Sequence, residues 1–182
     1  MDDKSSNKLA LLAEPVGPRD HALGNPEAPI TIVEYGDYEC PDCFNFVPII
    51  RKVREKLRER LRFVFRHFPR SNIHPHASMA AEVAEAAGDQ GKFWEMHEAL
   101  FRHQKELADL DLTHLALTLG LEIYRLESSR SNDRHRRRVK EDHESGVRSG
   151  VSNTPTLFIN GRRYDGAIEV DAIVAAALAP SE

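Results

Sequence analysis

The run Ile30-Thr31-Ile32-Val33-Glu34-Tyr35 leads within a few residues to Cys40-Pro41-Asp42-Cys43, and this junction is the most constrained part of the chain. Near-continuous apolar character predicts a strand over 29–36, buried on both faces. Beyond it, Phe46, Ile49, Ile50, Val53 and Leu57 recur at helical spacing, which predicts an amphipathic helix over 41–60. The only two cysteines of the 182 residues therefore stand where a strand turns into a helix. At such a terminus the unpaired backbone N–H groups and the macrodipole favour a thiolate on Cys40. Pro41 suits the first helical position, and Cys43 lies one turn in, within reach to close a disulfide.

Working outward, Leu61 to Phe68 alternates and stops at Pro69, a second strand. Strand, helix and strand in this order predict a right-handed parallel crossover. From about 75 to 150 the pattern turns helical. The alanine-rich run 77–87 stops at Gly88, and Phe93 to Lys105 carries Phe93, Met96, Leu100 and Phe101. Leu112 to Leu119 stops at Gly120, and a charged helix covers about Asn132 to Arg148. Strand chemistry returns in Thr156–Ile159 and Arg162–Tyr164, joined by Asn160-Gly161, the signature of a type I′ hairpin. A last helix is expected over Val170 to Leu178. Residues 1–25, polar and proline-bearing, read as a flexible arm that ends at Gly24-Asn25-Pro26.

This order, βαβ, helices, then ββα, is that of an α/β thioredoxin fold with a mixed sheet and an inserted helical domain. The expected division is 26–73 with 151–182 for the thioredoxin-like part and 74–150 for the insertion. The sequence resembles the DsbA-like family of thiol–disulfide oxidoreductases. The segments that carry the resemblance are Val33 to Cys43, Phe63-Val64-Phe65-Arg66-His67-Phe68-Pro69, Gly91-Lys92-Phe93-Trp94-Glu95-Met96-His97, and Gly150 to Gly161. The resemblance implies an enzyme that exchanges a Cys40–Cys43 dithiol or disulfide with protein or peptide substrates. It implies a cis peptide between Thr154 and Pro155, packed on the cysteines, which presents the Thr154 backbone to an incoming peptide and keeps metal from the thiols. It also implies that Glu34, buried beneath the cysteines, tunes the thiols and relays protons.

Cys40 is the expected nucleophile, being the more exposed thiol of such a motif, and Cys43 the shielded resolving thiol. A buried Glu34 needs a partner, and Arg66 on the neighbouring strand is the candidate; the alternative is a Glu34 that points to solvent. Asp42 stands where strongly oxidising members of the resembled family carry histidine. A unit charge about 6 Å from the sulfur contributes roughly 0.7 kcal/mol at ε ≈ 80 and roughly 2.8 at ε ≈ 20. The helix terminus contributes about 0.3–1 kcal/mol the other way. Asp42 is thus expected to cancel or outweigh the helix, leaving a less stabilised thiolate than histidine would.

Other readings carry less. His67, His74 and His76 lack the compact second ligand pair of a zinc site, so no metal is expected. The cluster Arg130, Arg134, Arg136, Arg137, Arg138 and Lys140 is followed at once by Glu141, Asp142 and Glu144, which reads as a solvated helix face and not a nucleic-acid surface. A net charge of −4 agrees with that, and no apolar run is long enough for membrane insertion. No bound organic cofactor is implied. The expected partners are protein or peptide thiols and disulfides together with an unidentified redox partner. Two alternatives stay open: a glutathione-linked or small-disulfide reductase, and a non-catalytic metal- or peptide-binding module. Because both cysteines belong to the motif, none is left for structural disulfides, which suits a reducing compartment. A cytoplasmic location is expected, with an extracytoplasmic one, its signal peptide absent from this sequence, as the alternative.

Overall fold

The computed structural model describes residues 11–125 and 133–180. Its centre is strand β2 (Ile30–Gly36), whose residues are almost all buried, as their unbroken apolar run requires. Strand β3 (Leu61–His67) runs parallel to it, with Ile30 opposite Leu61 and Gly36 opposite His67. Between them lies helix α1 (Pro41–Leu57), which buries Cys43, Phe46, Ile50, Val53 and Leu57 and ends where Arg58 takes φ 49°. The expected helix over 41–60 is thus three residues shorter, its last turn a 3₁₀ turn over Arg58–Arg60.

Strands β4 (Thr156–Ile159) and β5 (Arg162–Tyr164) form the expected hairpin, with Asn160 at φ 48° and Gly161 at φ 79°. The Asn160 carboxamide also accepts from the Thr31 N–H at 2.9 Å, pinning the turn to β2. A further strand, β1 (His21–Gly24), pairs antiparallel with the outer side of β3. The result is a five-stranded mixed sheet in the order β1-β3-β2-β4-β5. Between β3 and β4 come α2 (Ala77–Gly88), α3 (Phe93–Arg102), α4 (Asp109–Thr118) and α5 (Arg134–Arg148), and α6 (Val170–Leu178) closes the chain against α1. Arg130 and Asn132 of the expected basic helix lie outside the described residues.

The sheet separates two apolar layers. One holds Ile32, Phe65 and Leu157 with α1, α2, α3 and α6, and contains both cysteines. The other holds Val33, Tyr35, Val64, Phe68, Val151 and Phe158, and is roofed by α5. The roof comes very close: a Cβ on Gly146 would meet the Phe68 ring at 2.6 Å.

The expectation of a flexible arm over 1–25 is corrected for its described residues. Leu12 donates to the Gly161 carbonyl at 2.8 Å, and Ala13 to the Ser149 hydroxyl at 3.0 Å. Asp20 takes a two-pronged ion pair from the buried Arg66, with Nε at 2.8 Å and Nη2 at 3.0 Å. The carbonyls of Glu14 and Pro15 and the Tyr35 hydroxyl accept the remaining Arg66 protons. A buried guanidinium recruits the polar segment, which local composition cannot reveal. Residues 1–10 lie outside the described residues. Asp20→Ala strands the Arg66 charge, and urea unfolding should register a loss of about 3–5 kcal/mol; a loss below about 1 kcal/mol would show that the segment does not anchor the sheet.

Candidate active site

Cys40 is the N-cap of α1, in extended conformation (φ −76°, ψ 119°), with Pro41 opening the helix and the Phe44 N–H bonded to the Cys40 carbonyl at 3.2 Å. Both thiols are free. The expectation of an exposed Cys40 is corrected: Cys43 is wholly buried and Cys40 is only 4% exposed, so both thiols lie beneath the surface. The Thr154–Pro155 peptide is cis, and the Thr154 carbonyl accepts from the Cys40 thiol at 3.2 Å. The sequence thus places Cys40, Cys43, Thr154 and Pro155 together from two segments more than 100 residues apart.

The two sulfurs differ in their surroundings. The Cys40 thiol is held down to about 5, first by the hydrogen bond the Cys43 thiol gives it. The Thr154 side chain and the N–H groups of Cys43 and Asp42 add to this, against burial, which pushes it up. Cys43 is driven well above the usual thiol range by burial, then by the proton it shares with Cys40 and by the Glu34 charge. Its sulfur also accepts the Asp37 N–H at 3.5 Å. One sulfur is an anion near neutrality and the other keeps its proton.

The Asp42 side chain is exposed, so its charge acts on Cys40 through water, while its backbone N–H is among the groups that hold the Cys40 thiol down. The expectation that Arg66 partners Glu34 is corrected. In the parallel register Arg66 stands opposite Tyr35 and Glu34 opposite Phe65, so the two side chains leave opposite faces of the sheet. Glu34 is buried between Phe65 and Leu157, and its Oε1 has no partner. Burial, then the charge on Cys40, raises its carboxyl to about 8.

Other residues of the site carried no sequence signal. Gln104, just past α3, donates its two amide protons to the carbonyls of Tyr38 at 2.9 Å and Cys40 at 2.8 Å, stitching the helical block to the turn that bears Cys40. The Asp37 carboxylate accepts from the Glu39 and Arg70 N–H groups and pairs with His74, while Glu39 pairs with His76. His67 instead shares Glu85 with His21, at 2.9 and 2.8 Å. The three histidines considered for zinc therefore face different carboxylates. His67, Glu85 and Asp142 do converge, but Arg138 sits on Asp142 and His21 on Glu85, so these groups form an ion-pair network. Phe93 and Met96 are core, and Trp94 packs beside Phe63.

A family model described as Thioredoxin matches residues 17–177. The chain belongs to the thioredoxin family. Among curated relatives it is 46% identical over 172 residues to the Na(+)/H(+) antiporter NhaA 1 of Salinispora arenicola, which covers 94% of this chain and 26% of the antiporter. The chain thus spans about a quarter of the length of that relative. Among solved structures it is similar to a thioredoxin-like oxidoreductase from Silicibacter pomeroyi (TM-score 0.78, 25% identity, covering 90% of this chain and 95% of that one). It is also similar to BdbD from Bacillus subtilis (TM-score 0.80, 24% identity, 92% and 96% covered). The cytoplasmic expectation is corrected by these neighbours. They include a periplasmic thioredoxin-like protein from Salmonella enterica serovar Typhimurium (TM-score 0.70, 19% identity, 87% of each chain covered). Both cysteines belong to the site, so their small number says nothing about compartment.

Absorbance at 240 nm should titrate the Cys40 thiolate with a midpoint near 5, and Gln104→Ala should raise that midpoint by loosening the turn; an unmoved midpoint would reduce Gln104 to scaffold. Burial, then the Cys40 charge, lifts the Glu34 carboxyl from its ordinary 4.5 to about 8 while the thiols are free, so the folded state holds a proton the unfolded state has lost. Burial, the larger cause, persists when the sulfurs are joined, so the stability of the oxidised protein should fall as pH rises from about 5, by up to about 1.4 kcal/mol per unit until that carboxyl ionises, and Glu34→Gln should flatten that slope.

Proposed function

We propose that the chain is a DsbA-like thiol–disulfide oxidoreductase acting on protein or peptide thiols through a mixed disulfide on Cys40. The observation that carries this is the contrast between the two sulfurs at the tip of α1: a low-pKa Cys40 against the Thr154 carbonyl, and a buried, proton-holding Cys43. In the oxidised protein a substrate thiolate attacks the Cys40 sulfur, the Cys40–Cys43 bond breaks, and Cys43 leaves as a thiolate. That thiolate is poorly tolerated where it stands, and the raised carboxyl of Glu34 is the proton source on hand. A second substrate thiolate then attacks the substrate sulfur of the mixed disulfide. Cys40 departs as a stabilised thiolate and the substrate leaves oxidised. In reverse, Cys40 attacks a substrate disulfide, and Glu34 accepts the Cys43 proton as Cys43 attacks Cys40.

Thr154 and Pro155 supply the backbone over which an extended substrate would lie, with Pro41 and Asp42 lending the helix terminus. The thioredoxin-like part, 26–73 with 151–182, would hold the chemistry, and the insertion, 74–150, would cover it. Stabilising the reduced form through the Cys40 thiolate favours donation of disulfides. Equilibration with glutathione should give a potential above the roughly −270 mV of a reducing thioredoxin. Cys40→Ser should abolish exchange, whereas Cys43→Ser should accumulate mixed disulfides with client peptides on non-reducing gels. Undiminished exchange by the Cys40→Ser protein would overturn the proposal, and turnover of glutathione disulfide but no cysteine peptide would favour the small-disulfide alternative.

A further inference from the structure

A cleft of about 730 Å³ opens between the segment after β3 and helix α5, floored by Phe68, on whose ring His143 stacks at 4.3 Å. Its charged lining is predominantly cationic: Arg70, Arg136 and Lys140 against Glu82 alone. Glu82 is taken by Arg136 at 3.6 Å. Among the described residues Lys140 pairs with Glu144, at 3.6 Å between two exposed side chains, a pair that contributes little in water. The Arg70 guanidinium makes no hydrogen bond or ion pair among the described residues, although its own N–H is fixed to Asp37 at 2.7 Å. The cleft therefore offers positive charge that the protein does not consume.

Its position relates it to the cysteines. Ser152 lines the cleft, and Thr154, two residues on, places its carbonyl 3.2 Å from the Cys40 sulfur. Two residues of chain span at most about 7 Å, so the rim lies within about a dozen ångströms of the sulfur. An extended peptide advances about 3.3 Å per residue. A substrate cysteine joined to Cys40 would then bring a side chain about two to four residues away over the cleft.

Resting on the disulfide-exchange proposal above, we propose that this cleft receives an acidic side chain of the client peptide, so that the protein selects cysteines with Asp or Glu about two to four residues away. A carboxylate meets the planar guanidinium of Arg70 in matched geometry, and the apolar floor of Phe68 lowers the local dielectric in which they meet.

The test uses peptides with one cysteine and either Glu or Lys at the positions two to four residues from it, on each side in turn. The rate at which each reduces the Cys40–Cys43 disulfide is measured for the wild type, Arg70→Glu and Lys140→Glu. Comparing the Glu/Lys rate ratio between proteins cancels the intrinsic reactivity of each peptide and any loss of folded protein. The ratio should fall about fivefold or more with Arg70→Glu, fall less with Lys140→Glu, and converge among the three proteins at high salt. A ratio unchanged in both variants, with dithiothreitol and both peptides still reducing the protein, overturns the acidic preference and leaves the exchange chemistry standing. Failure of dithiothreitol and both peptides alike to reduce the pair overturns the exchange chemistry and this inference together.

Discussion

Everything at this site depends on the proton that the two sulfurs share across the first turn of α1, which lowers the Cys40 thiol and raises the Cys43 thiol. Negative charge is favoured on the outer sulfur and the proton on the inner one. Burial would otherwise drive both thiols upward together. The helix N–H groups of Asp42 and Cys43 reinforce the division by lowering Cys40, whereas Cys43 is lowered by the Asp37 N–H.

The rest of the fold holds that turn still. From one side comes the Thr154 carbonyl, delivered by the hairpin strand that pairs with β2. From the other comes Gln104, which ties the helical block to the carbonyls of Tyr38 and Cys40. Beneath lies Glu34, whose Oε1 has no partner among the described residues and whose charge acts on Cys43. A buried carboxyl oxygen without a partner is costly, and that cost falls directly beneath the two sulfurs. On the opposite face of the sheet, Arg66 gathers Asp20, Glu14, Pro15 and Tyr35 around one charge and so fastens the edge strand and the segment before it.

Much of this was legible from local pattern. Periodicity located β2, α1, β3 and the Asn160-Gly161 hairpin to within a few residues, because each is decided by neighbours in the chain. The errors share another cause. Pairing Glu34 with Arg66 required knowing the strand register, in which Arg66 lies opposite Tyr35. Treating residues 11–25 as loose ignored a guanidinium more than 40 residues away. Gln104 offered no signal at all, since a glutamine after a helix is ordinary until its partners are known.

Residue order alone placed most of the helices and strands, though not β1, and set two thiols at a strand-to-helix junction with a proline at the first helical position. These follow from backbone geometry and from contacts a few residues apart. Folding in three dimensions decided which thiol carries the charge, where Glu34 finds itself, and what fastens the N-terminal segment. Those outcomes depend on burial and on donors brought from distant parts of the chain, and neither can be summed along a sequence.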